Sequence, residues 1–270
     1  MTMVKVAVIQ LCSTEDIQRN LDEAETQVRA AAADGASLIT LPENTGFLKT
    51  GSAPDPGEPL ESSVIVTRFQ QLASELNVTI LLGSFHRSSD VAERAYNTSV
   101  LIDETGAVVG HYDKIHLFDI DVPGEVSFKE SNDIVPGTTP VMLSGAGLNI
   151  GMTVCYDLRF PELYRALTDM GAHVLTVPAA FTAETGKAHW LVLLRARAIE
   201  NQCYVVAPDQ WGRHGGKRHS HGESVIIDPW GQVIARVGDG VGFATAWLDT
   251  DMVARVRRNL PCAAHRRVRF

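Results

Sequence analysis

Three residues with the chemistry for nucleophilic catalysis stand where apolar, strand-like runs end. Cys155 closes one such run, Glu43 follows Leu41-Pro42 at the end of a second, and Lys114 comes shortly after a third. Strand ends in α/β sheets open into a crevice, so reactive side chains collect there. A thiol can act as the nucleophile, a partly desolvated carboxylate with a raised pKa as the general base, and a lysine can lower the pKa of a thiol or stabilise a negative oxygen.

Each of the three residues also has an ordinary structural explanation. Taken alone, Cys155 is more often a core residue, Glu43 a surface loop acid and Lys114 a solvated charge. The apolar neighbours of Lys114 nevertheless indicate a segment packed against the protein. The catalytic interpretation therefore depends on the three side chains meeting in the fold. The other cysteines, Cys12, Cys203 and Cys262, are interpreted as core residues.

Composition restricts the class of protein. The chain has 270 residues, 45% hydrophobic and 21% charged, which is typical of a folded globular protein. Its formal charge of −8 argues against non-specific nucleic-acid binding. Apolar runs are far shorter than the roughly 20 residues that span a bilayer, and the N-terminus does not resemble a secretory signal. We therefore expect a cytoplasmic protein with free thiols and no membrane contact.

The elements that position these residues alternate along the chain. Hydrophobic periodicity predicts a strand, a helix and a strand at the start, with Ser13 or Thr14 capping the first helix and Asp34-Gly35 ending it. The second half repeats this order. No Ser- or Pro-rich linker divides the halves, so residues 1–270 are predicted to form a single α/β domain with helix, sheet, sheet and helix layers. Further strands are predicted at 78–83, 98–102, 108–112, 148–154, 173–177, 203–207, 225–227, 232–237 and 243–248, and further helices at about 60–76, after Pro161 and around Trp190.

Three long segments, 51–59, 118–140 and 212–222, are predicted to be loops. Long loops in a compact domain are often lids or binding segments. The last of them contains His214, His219 and His221, and a His-x-His pair can place two imidazoles on one side of a strand to bind a metal. A flexible polar loop without a metal is the favoured interpretation, because the expected supporting carboxylates are missing.

Five motifs together resemble the nitrilase, or carbon–nitrogen hydrolase, superfamily, and its Nit branch in particular. The resemblance runs from about Val4 to Arg267. It implies a four-layer αββα sandwich that pairs into dimers, and no metal or organic cofactor. The motifs are Leu-Pro-Glu-Asn (41–44), Lys-Ile-His-Leu-Phe-Asp (114–119), Cys-Tyr-Asp-Leu-Arg-Phe-Pro-Glu (155–162), His-Trp-x-x-Leu-x-Arg-Ala-Arg-Ala-Ile-Glu-Asn (189–201) and Asp-Pro-Trp-Gly (228–231).

The resemblance also implies roles for single residues. Glu43, Lys114 and Cys155 would form the catalytic triad, and the family's additional glutamate corresponds to Glu130, for which a solvated loop acid is the alternative. Cys155 would form a thioester with an amide substrate. The residues expected to bind substrate are Tyr156 through its backbone N–H, Arg159, Phe181, Thr185, Lys217 and Arg218.

Within the Nit branch, the segments 189–200, 202–207 and 214–218 are similar to those of amidases that act on deaminated glutathione. This substrate carries a carboxylate at each end, whereas the alternative, the ω-amide α-ketoglutaramate, lacks the distant one. A non-catalytic binding protein that keeps the same fold is a remoter alternative. The sequence departs from the Nit pattern at Glu223, where Gly-His-Ser is usual. A basic cluster near the C-terminus, which includes Arg257, Arg266 and Arg269, is interpreted as a solvated or intersubunit salt-bridge segment.

Overall fold

Two six-stranded sheets form the centre of the structure, a computed structural model that describes residues 3–51, 55, 57–122 and 126–268. In the first sheet three strands run parallel and three antiparallel strands flank them, and the second sheet repeats this arrangement. The first sheet has the order β16 (Gly242–Asp249), β1 (Met3–Gln10), β2 (Leu38–Thr40), β3 (Thr79–Ser88), β4 (Ala95–Ile102), β5 (Val108–Asp113). The second has the order β15 (Val233–Arg236), β14 (Val225–Ile227), β11 (Tyr204–Ala207), β10 (Val174–Thr176), β9 (Leu148–Met152), β8 (Val141–Gly145).

Alternation along β1 shows how the layers are held together. Val6 and Val8 belong to a core cluster shared with Ile150 and Leu175 of the second sheet, whereas Ala7 and Ile9 belong to a cluster formed with helices of the first half. Each fully buried Val, Leu or Ile stabilises the fold by about 1.5–3 kcal/mol. Since both faces of these strands are buried, the predicted four-layer αββα sandwich is confirmed.

The described part of the chain contains six α-helices. Two of them contribute buried residues to the cluster on the outer face of the first sheet, and two pack on the second sheet. No helix of the described residues is long and apolar enough to cross a membrane. The helices are α1 (Ile17–Ala33), α2 (Val64–Leu76), α3 (Pro161–Asp169), α4 (Ala183–Asn201), α5 (Thr250–Asn259) and α6 (Cys262–His265).

The start of α1 differs from the prediction. Its N-cap is Asp16, whose carboxylate accepts a hydrogen bond from the backbone N–H of Arg19 at 3.0 Å. Thr14 instead supports the cap, because its hydroxyl accepts from the backbone N–H of Asp16 at 3.2 Å. Ser13 is buried and donates to the carbonyl oxygen of Thr45. Ser13 and Thr14 therefore mark the start of the helix as predicted, but neither of them is its N-cap.

Two segments predicted to be loops contain hairpins. Residues 118–140 include β6 (Asp119–Val122) and β7 (Val126–Lys129), and residues 212–222 form most of the hairpin of β12 (Trp211–Gly215) and β13 (Arg218–His221). In β12 and β13 the apolar alternation that marks a half-buried strand is missing, whereas β6 and β7 do alternate but are only four residues long. Of the third predicted loop, 52–54 and 56 lie outside the described residues.

The structure also places the other cysteines and the C-terminal arginines. Cys203 is buried as expected, but the core interpretation is wrong for Cys12, which is only partly buried, and for Cys262, which is exposed at the start of α6. Arg266 forms an ion pair of 2.7 Å with Asp169 of the same chain. Arg257 donates to the carbonyl oxygen of Ala172 and to the Cys203 thiol, and Arg269 lies outside the described residues.

Candidate active site

The structure brings Glu43, Lys114 and Cys155 together where β2, β5 and β9 end. Their exposed fractions are only 3%, 2% and 8%. The segment before Glu43 lies against β3, where a Cβ on Gly83 would stand 2.0 Å from the carbonyl oxygen of Leu41. Only glycine at that position allows this close approach. Glu43 and Lys114 thus come from the first sheet and Cys155 from the second.

A buried ionic network surrounds Lys114. Its ammonium donates to Glu43 Oε1 at 2.9 Å and to both carboxylate oxygens of Glu130 at 3.0 and 2.9 Å. The backbone N–H of Phe118 also donates to Glu130, at 2.6 Å. Glu130 is 8% exposed, so it is not the solvated loop acid that the sequence left open. Its contacts fit a residue that orients Lys114.

Asn97 is a member of this network that the sequence analysis missed. Its side-chain nitrogen donates to Glu43 Oε1 at 2.8 Å and to Glu130 Oε1 at 3.2 Å. Its backbone carbonyl accepts from the backbone N–H of Lys114 at 2.9 Å. The available signal was an asparagine directly before the predicted strand 98–102, where the observed strand β4 already begins at Ala95 and a buried polar side chain requires a partner.

The predicted strand 148–154 is cut short, and Cys155 opens a 3-10 helix over Cys155–Arg159. Its φ of 48° lies in the left-handed region that non-glycine residues adopt rarely and mostly at functional sites. The thiol-bearing residue is anchored by its own N–H, which donates to the carbonyl of Pro178 at 2.9 Å. The N–H of Tyr156 lies in the first helical turn, where backbone amides have no acceptor within the helix. It is therefore available to a developing oxyanion.

Asp157 links the two sheets at the site. Its fully buried carboxylate accepts from the hydroxyl of Tyr112 at 2.8 Å and from the backbone N–H of Val154 at 2.8 Å. It also accepts from the backbone N–H of His116 at 3.0 Å. One carboxylate thereby fixes the segment that carries Lys114 relative to the turn that carries Cys155.

The charges of the site differ from the sequence-based expectation. Burial, with the negative charge of Glu43 next, raises the pKa of the Cys155 thiol well above its ordinary value, although Lys114 acts in the opposite direction. Burial also acts to raise the pKa of Glu43, but the charge of Lys114 together with the hydrogen bonds from Lys114, Cys155 and Ala180 outweighs burial, and the pKa is lowered. Burial disfavours the Lys114 charge, yet Glu130 and Glu43 hold its pKa well above the ordinary value.

One expectation about pKa values is therefore wrong, because it depends on distances between charges: desolvation does not lift the pKa of Glu43 towards neutrality. Lys114 does act to lower the pKa of Cys155, but burial and Glu43 outweigh it, so the thiol stays protonated near neutral pH. The resting site holds a thiol, a carboxylate and an ammonium. Cys155 becomes nucleophilic only as Glu43 accepts its proton.

These side chains line a cavity of about 790 Å³. Of the predicted substrate-binding residues, all but one line it. Thr185 does not, because α4 begins at Ala183 and the Thr185 hydroxyl lies 2.7 Å from that of Thr182, which lines the cavity instead. Lining residues predicted from sequence are Tyr156, Arg159, Phe181, Lys217 and Arg218, and those not predicted include Lys49, His86, Asn97, Asp133, Thr182 and Glu184.

The cations of the cavity are not equally free. Arg159 lies 5.3 Å from the Phe181 ring and 3.2 Å from the Nδ1 atom of His189, and it has no carboxylate partner within the described residues. Lys217 is exposed at the turn between β12 and β13, where the described chain likewise offers it no ion pair. Arg218 donates to the carbonyl of Lys49 at 2.6 Å and lies 5.1 Å from the Phe128 ring.

The histidines of the predicted third loop hold the β12–β13 hairpin in place. His214 is buried, which lowers its pKa to about 4, and its Nδ1 atom lies 2.8 Å from the carbonyl oxygen of Ser13. His221 lies 3.0 Å from the carboxylate of Glu223, which also pairs with Arg236 at 2.8 Å. Glu223 thus has a structural partner on each side. Among the described residues no group of three potential ligands is arranged to hold a metal ion.

The fold and the site define a carbon–nitrogen hydrolase. The family described as Carbon-nitrogen hydrolase matches residues 5–258, and the chain belongs to it. The "Deaminated glutathione amidase" of Homo sapiens is 46% identical over 273 residues, covering 97% of this chain and 82% of that protein. A protein of the same name from Synechocystis sp. is 44% identical over 265 residues, covering 96% of this chain and 97% of its own. The chain is thus an amidase-type hydrolase.

Solved structures agree with this result. The C. elegans NitFhit protein superimposes with a TM-score of 0.91 at 35% identity. The match covers 98% of this chain and 65% of the longer NitFhit chain. Saccharomyces cerevisiae Nit3, titled a member of branch 10 of the nitrilase superfamily, gives a TM-score of 0.87 at 29% identity. That match covers 98% of this chain and 97% of Nit3. The family and the fold inferred from the sequence motifs are confirmed.

Proposed function

We propose that this hydrolase cleaves a carboxylate-bearing linear amide through a thioester on Cys155. The observation that carries the proposal is that one cavity contains both the reactive side chains and two cations. Glu43, Lys114 and Cys155 meet in it, and Arg159 and Lys217 line it without acidic partners in the described chain. Two such cations favour a substrate with carboxylates over a neutral amide.

The mechanism follows from the resting charges. Glu43 takes the thiol proton while the Cys155 sulfur attacks the amide carbon, and Lys114 and the N–H of Tyr156 stabilise the oxyanion. When Glu43 becomes protonated it holds the ammonium less strongly, which frees Lys114 for the oxyanion. Glu43 then protonates the departing amine, and the C–N bond breaks.

The second half of the reaction uses the same groups. Glu43, again a carboxylate, takes a proton from water, and the hydroxide attacks the thioester carbon. Collapse of the second oxyanion releases the acid, and the sulfur recovers a proton from Glu43. Glu130 holds Lys114 in place throughout, through contacts of 3.0 and 2.9 Å.

Deaminated glutathione is the substrate we propose, and the names of the 46% and 44% identical relatives support it. In this compound the scissile amide joins an α-ketoglutaryl group to cysteinylglycine. The α-keto acid and the glycine each carry a carboxylate, so there is one at either end. Arg159 would bind the near carboxylate and Lys217 the distant one. The leaving group is then the amine of the dipeptide. The second candidate, α-ketoglutaramate, would use Arg159 alone and release ammonia.

Arg159→Lys should raise KM for carboxylate-bearing amides by about tenfold or more, because a guanidinium can bind a carboxylate through two parallel hydrogen bonds and an ammonium cannot. The measurement is initial-rate kinetics of amine release. Arg195→Lys is the matched control, since Arg195 lies on α4 and donates to the carbonyl of Gly231, away from the cavity. An unchanged KM in the Arg159 variant would contradict this role.

Lys217→Ala and Arg218→Ala test the choice of substrate. Together they should lower kcat/KM on deaminated glutathione, with a loss of transition-state stabilisation of about 1–3 kcal/mol. The value of kcat/KM on α-ketoglutaramate should stay nearly unchanged. Lys217→Ala alone should be the more selective change, because Arg218 also connects the hairpin to Lys49. Equal losses on both substrates, or a wild-type preference for α-ketoglutaramate, would move the assignment to ω-amidase.

The wider setting is also part of the proposal. Residues 1–270 act as a single domain without a metal or organic cofactor, and the four free thiols suit the cytoplasm, where thiols stay reduced. Exposed apolar side chains on α4 and in the nearby Asp-Pro-Trp-Gly turn support a homodimer: Val192, Ile199 and Trp230 are 68%, 48% and 57% exposed.

A further inference from the structure

The two oxygens of the Glu43 carboxylate have different partners. Oε1 accepts from Lys114 at 2.9 Å and from Asn97 at 2.8 Å. Oε2 accepts from the backbone N–H of Ala180 at 2.8 Å. A carboxylate oxygen has two in-plane lone pairs. Both are used on Oε1, and one stays open on Oε2.

This count determines where a proton can be added. Protonation of Oε1 would require Lys114 or Asn97 to give up its hydrogen bond, whereas protonation of Oε2 displaces no donor. The Cys155 thiol lies close enough to the Glu43 carboxyl to affect its pKa by hydrogen bonding. Lys114 cannot fill Oε1 alone, because its other contacts go to Glu130.

Asn97 is 1% exposed, and its side-chain oxygen is buried without a hydrogen-bond partner. An amide that leaves its acceptor unpaired in a protein interior carries a penalty in stability. Its NH₂ group, by contrast, donates to both acids of the site. The side chain is therefore held for its donors.

We propose that Asn97 is a positioning residue that occupies the second lone pair of Glu43 Oε1 and thereby directs the proton of Cys155 to Oε2. This inference rests on the proposed function only in that Glu43 is the base. In each half-reaction the proton leaves the thiol or water, binds Oε2 and returns from it to the departing amine or sulfur. The same amide keeps Glu130 aligned on Lys114.

Other charged groups face Glu43 from every side of the site. Lys114 follows β5, Glu130 follows β7, Cys155 follows β9, and the buried Asp209 follows β11. Burial, with the charge of Glu43 contributing, raises the pKa of Asp209 well above its ordinary value. Lys114 stays charged from acid to neutral pH because its pKa is raised. The acid limb of Cys155 reactivity is assigned to Glu43, the base that accepts the thiol proton.

The test measures the rate of alkylation of Cys155 by iodoacetamide between about pH 3 and pH 8, using peptide masses, so that no substrate is needed. The range extends below the ordinary pKa of a glutamate because the pKa of Glu43 is lowered. Asn97→Leu removes both donors at similar volume and should move the acid limb upward by about one pH unit, a tenfold slower reaction at a pH on the limb. The exposed Cys262 serves as an internal control, and its rate should not change. Ser99→Ala is the matched variant, because Ser99 is buried on the same strand and bonds only to the carbonyl of Leu82.

Asn97→Asp provides a second variant that keeps the shape of the side chain. A carboxyl at this position either repels Glu43 or, when protonated, donates to only one of the two acids, so its acid limb should also move upward. If the acid limb of Cys155 alkylation in a folded Asn97→Leu or Asn97→Asp variant coincides with that of the wild type, the proposal is overturned. If the wild type shows a normal limb but hydrolyses no carboxylate-bearing amide, the proposed function fails and the role of Asn97 stands.

Discussion

Replacement of Cys155 by alanine or by serine is expected to reduce amide hydrolysis by at least about 10⁴-fold, because the reaction would lose its covalent route. Alanine removes the nucleophile. Serine fails for a different reason: its hydroxyl is a far weaker acid than a thiol, and Lys114 lowers the pKa of Glu43, which makes Glu43 a weak base. The measurement is release of the amine product by the purified variants.

Mass spectrometry separates this mechanism from its rivals. Acid-quenched wild-type protein should carry the acyl group of the substrate on the Cys155 peptide, and Cys155→Ser should not. Cys262→Ser is the control and should keep wild-type turnover, since this exposed thiol lies outside the cavity. Near wild-type turnover in both Cys155 variants would contradict the thioester mechanism. Absence of any adduct and of any turnover in the wild type would favour a non-catalytic binding protein.

Replacement of Lys114 by methionine should have the second largest effect. It removes the cation that pairs Glu43 and Glu130, whose side chains are only 5% and 10% exposed. Loss of the oxyanion partner should reduce kcat by about 10²–10³-fold. Loss of one partner from a buried ionic network should reduce the free energy of unfolding by about 3–5 kcal/mol at neutral pH.

The pH dependence of stability should change sign at this site. In the wild type the pKa of Glu43 is lowered, so its contribution is present above the unfolded pKa and is lost as the pH falls through the folded value. Without Lys114, burial raises the pKa of the same carboxyl, so its contribution is present below the unfolded pKa and is lost as the pH rises. Urea unfolding of Lys114→Met at mildly acid and at alkaline pH measures this reversal.

A double variant provides the control. Adding Glu43→Gln to Lys114→Met removes one of the unpaired charges, so it should recover part of the stability at neutral pH without recovering activity. Wild-type stability of the single variant at neutral pH would contradict the ionic network described for the site.

The sequence pointed to Glu43, Lys114 and Cys155 because each follows a strand-like run and stands in a motif that resembles the family. Asn97 escaped notice because its importance lies in distances to two acids that are 54 and 33 residues away in sequence. The pKa direction of Glu43 was missed for the same reason: burial is readable from a pattern, but the position of Lys114 between two carboxylates is not.

The hairpins of the cavity rim show a second limit. A strand is recognisable when one face packs on the core, but β12 and β13 carry mainly arginine, histidine, glycine and serine, and β13 borders a cavity instead. The prediction that Thr185 lines the cavity was wrong because of a smaller error in the position of a helix start. A shift of a few residues at a helix start decides which hydroxyl faces the cavity, and helix boundaries are the least certain feature of a sequence-based prediction.

The division of the site between two sheets has a consequence for how the protein becomes active during folding. Glu43 and Lys114 belong to the N-terminal half of the chain, which supplies β1 to β5 of the first sheet, and Cys155 to the C-terminal half, which supplies the second sheet and β16. Neither half can form a reactive centre by itself, and Asp157 can bind Tyr112 and His116 only after the halves have docked. During refolding, secondary structure should therefore return before activity. A nascent chain that extends only through Lys114 carries a base and a cation but no reactive thiol between them, and its first sheet still lacks β16.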